Sequence, residues 1–464
     1  MQHGESGQAA SLDLDTVSAG LSDADHEKRQ NLFRILTDTK WRKACFAQVD
    51  HKFPAIVTYL SQLLAHDVTR TARFDSRFEN SNGGLQSGQT NLRSSGLLLH
   101  TIYGEGMHLD GQLYRSSRNS DRRPSPSFRL IRQVYGGVTS ILPAFSLPLD
   151  GMVPARNLFP LLGDMRNADT PMLLWIAVEF MKYHNRLIQE DPQKNTNQKF
   201  RDARIKAILT WHNIIEHEVL PHLTGETTAR DLILDNEEMG ENDLFHGLMR
   251  AFHVLPLNSY KLISSIGSAD GDDRFHTPLN ALTHQKAVIP SIQSTENWDE
   301  AFEKTIRHWH KTWRVELDLL TDPSGANLTC FSPSFAVDIG AKNLLKRDFK
   351  AAVDFDVSPM SKHAKLQAQT TKLLEKITQD TGEINLPDAK DLPLSIGFLA
   401  EAFCKEQKKG TLGEIGGALF ATEILARIDT AQAALAQIIS QDDINDLKAS
   451  LPNSFATLMN PTPQ

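Results

Sequence analysis

The chain has 464 residues, of which 40% are hydrophobic and 23% charged, with a formal net charge of −8. This is the composition of an ordinary globular protein. Without a Lys/Arg-rich block it carries no nucleic-acid footprint, and no apolar run approaches the roughly 20 residues of a membrane span. Three widely spaced cysteines, Cys45, Cys330 and Cys404, argue against a disulfide framework or a cysteine zinc site. The polar opening MQHGESGQAASLDLD lacks the apolar core of a secretory signal. The cytoplasm is therefore the default location, with export by a signal-less route left open. Residues 1–28 read as a flexible lead-in. From Asn31 to Asp67 apolar residues recur at helical spacing; in TYLSQLLAHDV, Leu60, Leu63 and Leu64 form one stripe. Between 70 and 125, stretches such as FENSNGGLQSGQT and RSSRNSDRRPSPS predict long loops, which in a compact domain often border a functional site. Thr170 ahead of Pro171 is a good start for a long helix. Further helices are predicted over 197–223, around 243–255, and over 338–350, 361–380, 393–408 and 412–440. No succession of period-2 strands and no internal repeat is visible. The predicted fold is mainly α: a single helical domain over 29–450 with long loops and little β, ending in a tail at 451–464.

Four constellations can carry chemistry. Gln62 and His66 lie four apart on one helix face. Gly163-Asp164-Met165-Arg166-Asn167-Ala168-Asp169 precedes a long helix, where carboxylates are structurally sensible but Arg166 needs an anionic partner or water. Arg250 and His253 share a helix face in RAFHVLP, and a haem iron needs one neutral imidazole from a helix, with a nearby Arg suiting a propionate. His212, Glu216, His217 and His222 form the best non-haem metal candidate, although the zinc-protease order is absent and a polar helix face explains them equally well.

Taken in order along the chain, these segments resemble the animal-type haem peroxidases of the peroxidase–cyclooxygenase superfamily. TYLSQLLAHDVT resembles the distal helix, and NLRSSGLLLHTIYG the following loop. LLGDMRNADTPMLLWIAVEFMKYHNRL resembles the family's G-D-x-R…H-N-R stretch, which is the most specific match. RAFHVLP resembles the proximal helix, IGAKNLLKRD the segment supporting it, and GTLGEIGGALFATEIL a late segment typical of bacterial members. The matches span roughly residues 50–430. The resemblance implies a haem-dependent peroxidase that uses hydrogen peroxide to oxidise a small organic or halide donor. It implies His66 as distal base, Arg166 as distal cation and Gln62 as a residue ordering water or an anion. It implies His253 as the proximal iron ligand, Asn343 as the acceptor behind that imidazole, and Arg250, with Lys346 second, as propionate partners. His184 of the HNR match reads as structural.

The chain departs from the family in ways that shape the expectation. Ala65 replaces the Asp that forms an ester to haem, and Asp169 stands where a longer Glu forms the second. Haem b held mainly without covalent bonds is expected, with Asp169 the one position where an ester could form. Gly96, Leu98 and His100 replace expected calcium ligands, leaving only Asp67, so calcium is not expected. The run after Asn343 also departs from the family's. Arg250 occupies the position that carries a Tyr in the cyclooxygenase and fatty-acid dioxygenase branches, which favours peroxidase chemistry. A haem-dependent oxygenase acting on a lipid-like substrate and a non-catalytic haem-binding or scaffold member remain as alternatives.

Overall fold

The computed structural model describes residues 23–69, 96–116, 124–135, 138–143, 161–168, 170–190, 192–225, 239–261, 276–278, 317–336, 341–354, 357–404 and 409–460. The first helices are α1 (Asp23–Leu36), α2 (Thr39–Ala47) and α3 (Ile56–Val68). Further along come α4 (Pro171–Glu190) and α5 (Thr196–Ile214), the latter running on through a wide π turn to Thr224. A second group follows: α6 (Ala341–Asp354), α7 (Ala364–Thr381), α8 (Leu394–Cys404), α9 (Glu414–Leu435) and α10 (Gln441–Ser450). No helix among the described residues is long and apolar enough to cross a membrane.

Local signals account for several boundaries. Thr170 caps α4 as expected, its hydroxyl accepting from the Leu173 amide at 3.2 Å. Asn195 and Gln198 form a reciprocal capping box at the start of α5. The start of α9 is closed by Glu401 of α8, whose carboxylate accepts from the amides of Ile415 (2.8 Å) and Gly416 (3.0 Å). A Cβ at Gly413 would collide with that carboxylate. The glycine-rich GTLGEIGG run is thus a packing requirement. Leu60, Leu63 and Leu64 of α3 join Phe180 of α4, Trp211 of α5, Phe398 of α8 and Phe420 of α9 in one buried core. Phe180 meets Trp211 edge-on at 5.7 Å.

Two expectations change. The lead-in ends sooner than expected, because α1 begins at Asp23 and buries Leu32, Phe33, Ile35 and Leu36. The expected tail at 451–464 contains a helical turn, Phe455–Met459, capped by Ser454. Phe455 and Leu458 are buried there, and Arg186 of the HNR motif donates to the Leu458 carbonyl at 2.7 Å. The β content is small, as expected, and includes a six-pair antiparallel hairpin, β4 (Leu130–Tyr135) with β5 (Val138–Pro143). Gly136-Gly137 between two six-residue runs was the readable turn signal. Shorter pairs are β1 (Phe53–Pro54) with β8 (Leu328–Thr329), β2 (Tyr114–Ser116) with β3 (Pro124–Phe128), and β6 (Ser259–Lys261) with β7 (His276–Pro278). Residues 70–95 and 117–123, which carry most of the predicted loop sequence, lie outside the described residues.

Candidate functional site

Helix α3 is buried along nearly its whole length, as its apolar sequence demands. The positions not fully covered are Gln62 and Ala65. With His66 these lie on one face at i, i+3 and i+4, the face that holds both of the helix's incompletely buried positions. The imidazole of His66 is oriented by Asn167, its Nδ1 lying 3.1 Å from Asn167 Oδ1. Asn167 Nδ2 donates to the Thr101 carbonyl at 2.9 Å, and a carbonyl can only accept. Oδ1 is therefore the acceptor facing His66, the ring proton sits on Nδ1, and Nε2 carries the lone pair. Asn167 belongs to the GDMRNAD motif, but its partner Thr101 comes from the preceding loop, and sequence reasoning missed the pairing.

Arg166 sits against the end of the same helix. Its Nη2 donates to the carbonyls of His66 (2.9 Å) and Thr69 (2.7 Å), and Nε and Nη2 together hold Asp164, the closest ion-pair distance being 2.7 Å. The cation thus closes the C-terminal end of α3, where the helix dipole favours it. Asp67, the next residue after His66, accepts from the amides of Leu99 (3.0 Å) and Thr101 (3.2 Å). Both its oxygens therefore meet N–H donors. Leu99 lies in the left-handed region at φ +53°, an arrangement that costs a non-glycine residue about 1 kcal/mol or more. Gly163 lies so close to Ile102 and Gly104 that a Cβ would come within 2.6 Å of their backbone. That contact ties the GDMR segment to IYG.

The histidine of the HNR motif is structural. His184 Nε2 donates to the Pro126 carbonyl (2.8 Å), while Nδ1 accepts from the Tyr103 hydroxyl (2.9 Å). Burial pushes its pKa down to about 4. Asn185 pairs with both backbone groups of Phe128. The group around His212 is also structural. His212 Nε2 donates to the Leu97 carbonyl at 2.8 Å, and Glu216 pairs with Lys448 at 2.5 Å. No metal-holding cluster is present among the described residues.

His253 ends a helical run over residues 243–254 that passes from π to α to 3-10 geometry; such irregular turns often mark functional positions. Asp243 anchors its start through the Ser358 amide and hydroxyl. Its end is gripped by Arg42, which donates to the carbonyls of Ser334 (2.9 Å), Val254 (3.3 Å) and Pro256 (2.8 Å). Asp348 of α6 brings both carboxylate oxygens to His253 Nδ1, at 3.0 and 2.9 Å. That is the place the sequence led us to expect Asn343, five residues earlier on the same helix. Positions 343 and 348 lie about 140° apart around a helix, and the face meeting His253 is that of 348. The side chain of Asn343 is not among those described, and Asp169 lies outside the described residues. Arg250 Nη1 is 3.8 Å from Asp348, and Lys346 is half-buried. Tyr59, two turns before His66, packs on Tyr260 of β6, seven residues after His253, with ring centroids 5.9 Å apart.

The architecture is the mainly α, haem-peroxidase-like fold. Peroxidase A from Dictyostelium discoideum aligns with a TM-score of 0.52 over 91% of this chain and 88% of that one, at 14% identity. The fatty acid alpha-dioxygenase of Oryza sativa aligns with a TM-score of 0.51 over 93% and 79%, at 13% identity. A variant of that enzyme with palmitic acid gives 0.50 over 89% and 75%, at 14% identity. These neighbours belong to the animal haem peroxidase superfamily, and at such identities the likeness is one of fold. No family model matches the chain, and no curated protein matches its sequence.

Proposed function

We propose that the chain is an oxidoreductase that binds haem b and uses hydrogen peroxide to oxidise a small organic or halide donor. The observation that carries this reading is the pair of held imidazoles. His66 and His253 each have Nδ1 fixed by an acceptor, which leaves the lone pair at Nε2 in both, and Tyr59 of the helix bearing His66 packs on Tyr260, seven residues after His253. The donor set fits haem. The Nδ1 edge of His253 rests on Asp348, which is only 1% exposed, whereas the His253 side chain is 25% exposed; a histidine that holds a metal through Nε2 needs such a partner at its other nitrogen. His253 Nε2 would hold the iron, and Arg250 and Lys346 would meet the propionates. When bound, haem supplies the redox chemistry with peroxide.

The protein's own residues manage the proton. His66 Nε2 takes it from the near oxygen of peroxide and delivers it to the departing oxygen. Asn167 keeps the other ring nitrogen protonated, so the base is always Nε2. Arg166 places positive charge beside the site as the O–O bond breaks. Gln62, one turn before His66, positions water or a small anion. With Ala65 in place, attachment through that position is ruled out, and Asp169 is the remaining candidate for a single ester. No calcium is proposed at Asp67.

The likeness to a fatty acid alpha-dioxygenase favours a second reading, oxygenation of a lipid-like substrate; Arg250, three residues before His253, speaks against it. Visible absorption of the haem-reconstituted protein separates the readings. The peroxidase reading expects a Soret band that changes on adding peroxide and reverts with a donor, and a band lost or altered in His253→Ala. Oxygen uptake with a long-chain fatty acid, without peroxide, would select the second reading. No haem uptake by the wild type would leave a scaffold role.

A further inference from the structure

We propose that Tyr103 and His184 form a redox pair in which Tyr103 gives an electron toward the haem pocket and its proton to His184 Nδ1. One of the two oxidising equivalents of hydrogen peroxide is thereby stored as a neutral tyrosyl radical. The inference rests on the haem reading above and adds a second redox centre to it. The Tyr103 hydroxyl lies 2.9 Å from His184 Nδ1. His184 Nε2 is 2.8 Å from the Pro126 carbonyl, which can only accept. The ring proton is therefore on Nε2, and Nδ1 offers its lone pair to the phenol. Both side chains are buried, Tyr103 at 1% and His184 at 0% exposure. A phenol that loses an electron becomes a strong acid, and a charged ring in so dry a place is costly. Its proton must leave with the electron, and an acceptor already stands within hydrogen-bond reach. Burial holds His184 down to about 4, so the ring is neutral at rest and ready to take the proton.

Three further observations support the pair. Tyr103 has a bonded route to the site: Thr101, two residues earlier, and His66 Nδ1 both meet Asn167 Oδ1, at 3.0 and 3.1 Å. The tyrosine is enclosed by rings, with the centroids of Phe128, His184 and Phe200 at 5.3, 5.3 and 6.0 Å; such a shell keeps out water and quenchers. The Arg204 guanidinium lies 5.2 Å from the ring centroid. A fixed cation disfavours a second positive charge beside it, so the electron leaves only with the proton. Other tyrosines are held differently among the described residues. Tyr114 donates to the Tyr103 carbonyl, Tyr183 meets Thr210, and Tyr260 accepts from the Leu257 amide; none of these partners is a base. In the step itself the Tyr103 O–H bond breaks and a His184 N–H bond forms. When the donor supplies its electron, the phenoxyl oxygen is reduced and the proton returns to it from His184.

The test mixes the full-length chain, reconstituted with haem b, with hydrogen peroxide, freezes it and records electron paramagnetic resonance. The wild type is expected to give an organic radical signal that narrows when ring-deuterated tyrosine is incorporated. The signal is expected to be lost in Tyr103→Phe and in His184→Gln. The first reaction with peroxide, which His66 manages, is expected to keep its wild-type rate in Tyr103→Phe. In the cofactor-free wild type, nitrogen NMR of labelled histidine is expected to find the His184 proton on Nε2, a readout that survives if the variants do not fold. Haem uptake and reaction with peroxide without a tyrosine signal in the wild type overturn the inference and leave the haem reading standing. So does a signal unchanged in either variant, a signal that falls only in step with the peroxide rate, or a His184 proton found on Nδ1. No haem uptake by the wild type overturns the haem reading and the inference with it.

Discussion

His66 ends a helix whose last carbonyls are taken by Arg166, and His253 ends a helical run whose last carbonyls are taken by Arg42. In both regions Nδ1 faces an acceptor, and on the proposed reading Nε2 is the working atom. The difference lies in the acceptor: a neutral carboxamide, Asn167, behind His66 and a carboxylate, Asp348, behind His253. A base that must take a proton and give it back is served by a neutral neighbour, because a carboxylate would trap it as imidazolium. A metal ligand is served by the charged one. The arginines differ too: Arg166 is paired with Asp164 beside His66, whereas Arg42 spends its bonds on carbonyls alone.

That contrast can be attacked from its largest expected effect downward. His66→Ala should slow the reaction with peroxide by about 100- to 10,000-fold while the haem spectrum survives; an equal rate in stopped-flow mixing would remove His66 from the chemistry. Arg42→Ala should cost roughly 3 kcal/mol of stability, from lost charge-assisted bonds to three carbonyls, as read by urea denaturation. Its rate with peroxide should stay near wild type, whereas Arg166→Ala should lower both. Equal rate losses in the two would abolish the distinction between the regions.

Acid should loosen the two regions unequally. His212 and His184 both hold the segment beneath His66, through Leu97 and Tyr103, and burial pushes both down to about 4 from an ordinary 6.5. Below 6.5 the unfolded chain binds protons that the folded one refuses. Their contribution is therefore complete above 6.5 and is lost as pH falls toward 4, by roughly 3 kcal/mol for each residue at most. Glu218, pushed up to about 7 by burial, acts in the opposite sense: its contribution is present below 4.5 and lost as pH rises through 7. The histidine share is the difference between wild type and His212→Gln across that range. Amide exchange should accelerate over 97–103 before it does over 243–254; the reverse order would contradict the assignment. The smallest effect is the most specific. Asn167→Asp gives His66 the same kind of acceptor as His253 and favours its charged form. The peroxide reaction at neutral pH should then slow by about tenfold, the worth of one hydrogen bond, while Asn167→Ser should slow it less.

Much of this was legible in the sequence. The helices announced themselves by periodicity, and GDMR, HNR and RAFH located the segments that build the site. Partners were harder to read. Asn167 stands inside a motif that was singled out, yet its role depends on Thr101, 66 residues away. Asp348 was overlooked because Asn343 drew attention to another face of α6, and only the docking of that helix decides which face meets His253. Arg42 gave no signal at all: it sits in an amphipathic helix far from any motif, and its three acceptors are backbone carbonyls, which no sequence pattern reports. The turn at 455–459 was read as a tail because five residues are too few to show a period.

The bonds behind the two histidines also fix an order of events during synthesis. The ring around His66 is complete once Asn167 has emerged, having closed spans of 34, 66 and 101 residues. The grip on His253 must wait for Asp348, about 180 residues further along. At ribosomal speeds of 5–20 residues per second that gap lasts roughly 10–40 s. During that interval one half of the centre can assemble on the nascent chain while the other still lacks the helix that orients its ligand. On the proposed reading, the site that would hold haem is complete only once the helix carrying Asp348 has emerged.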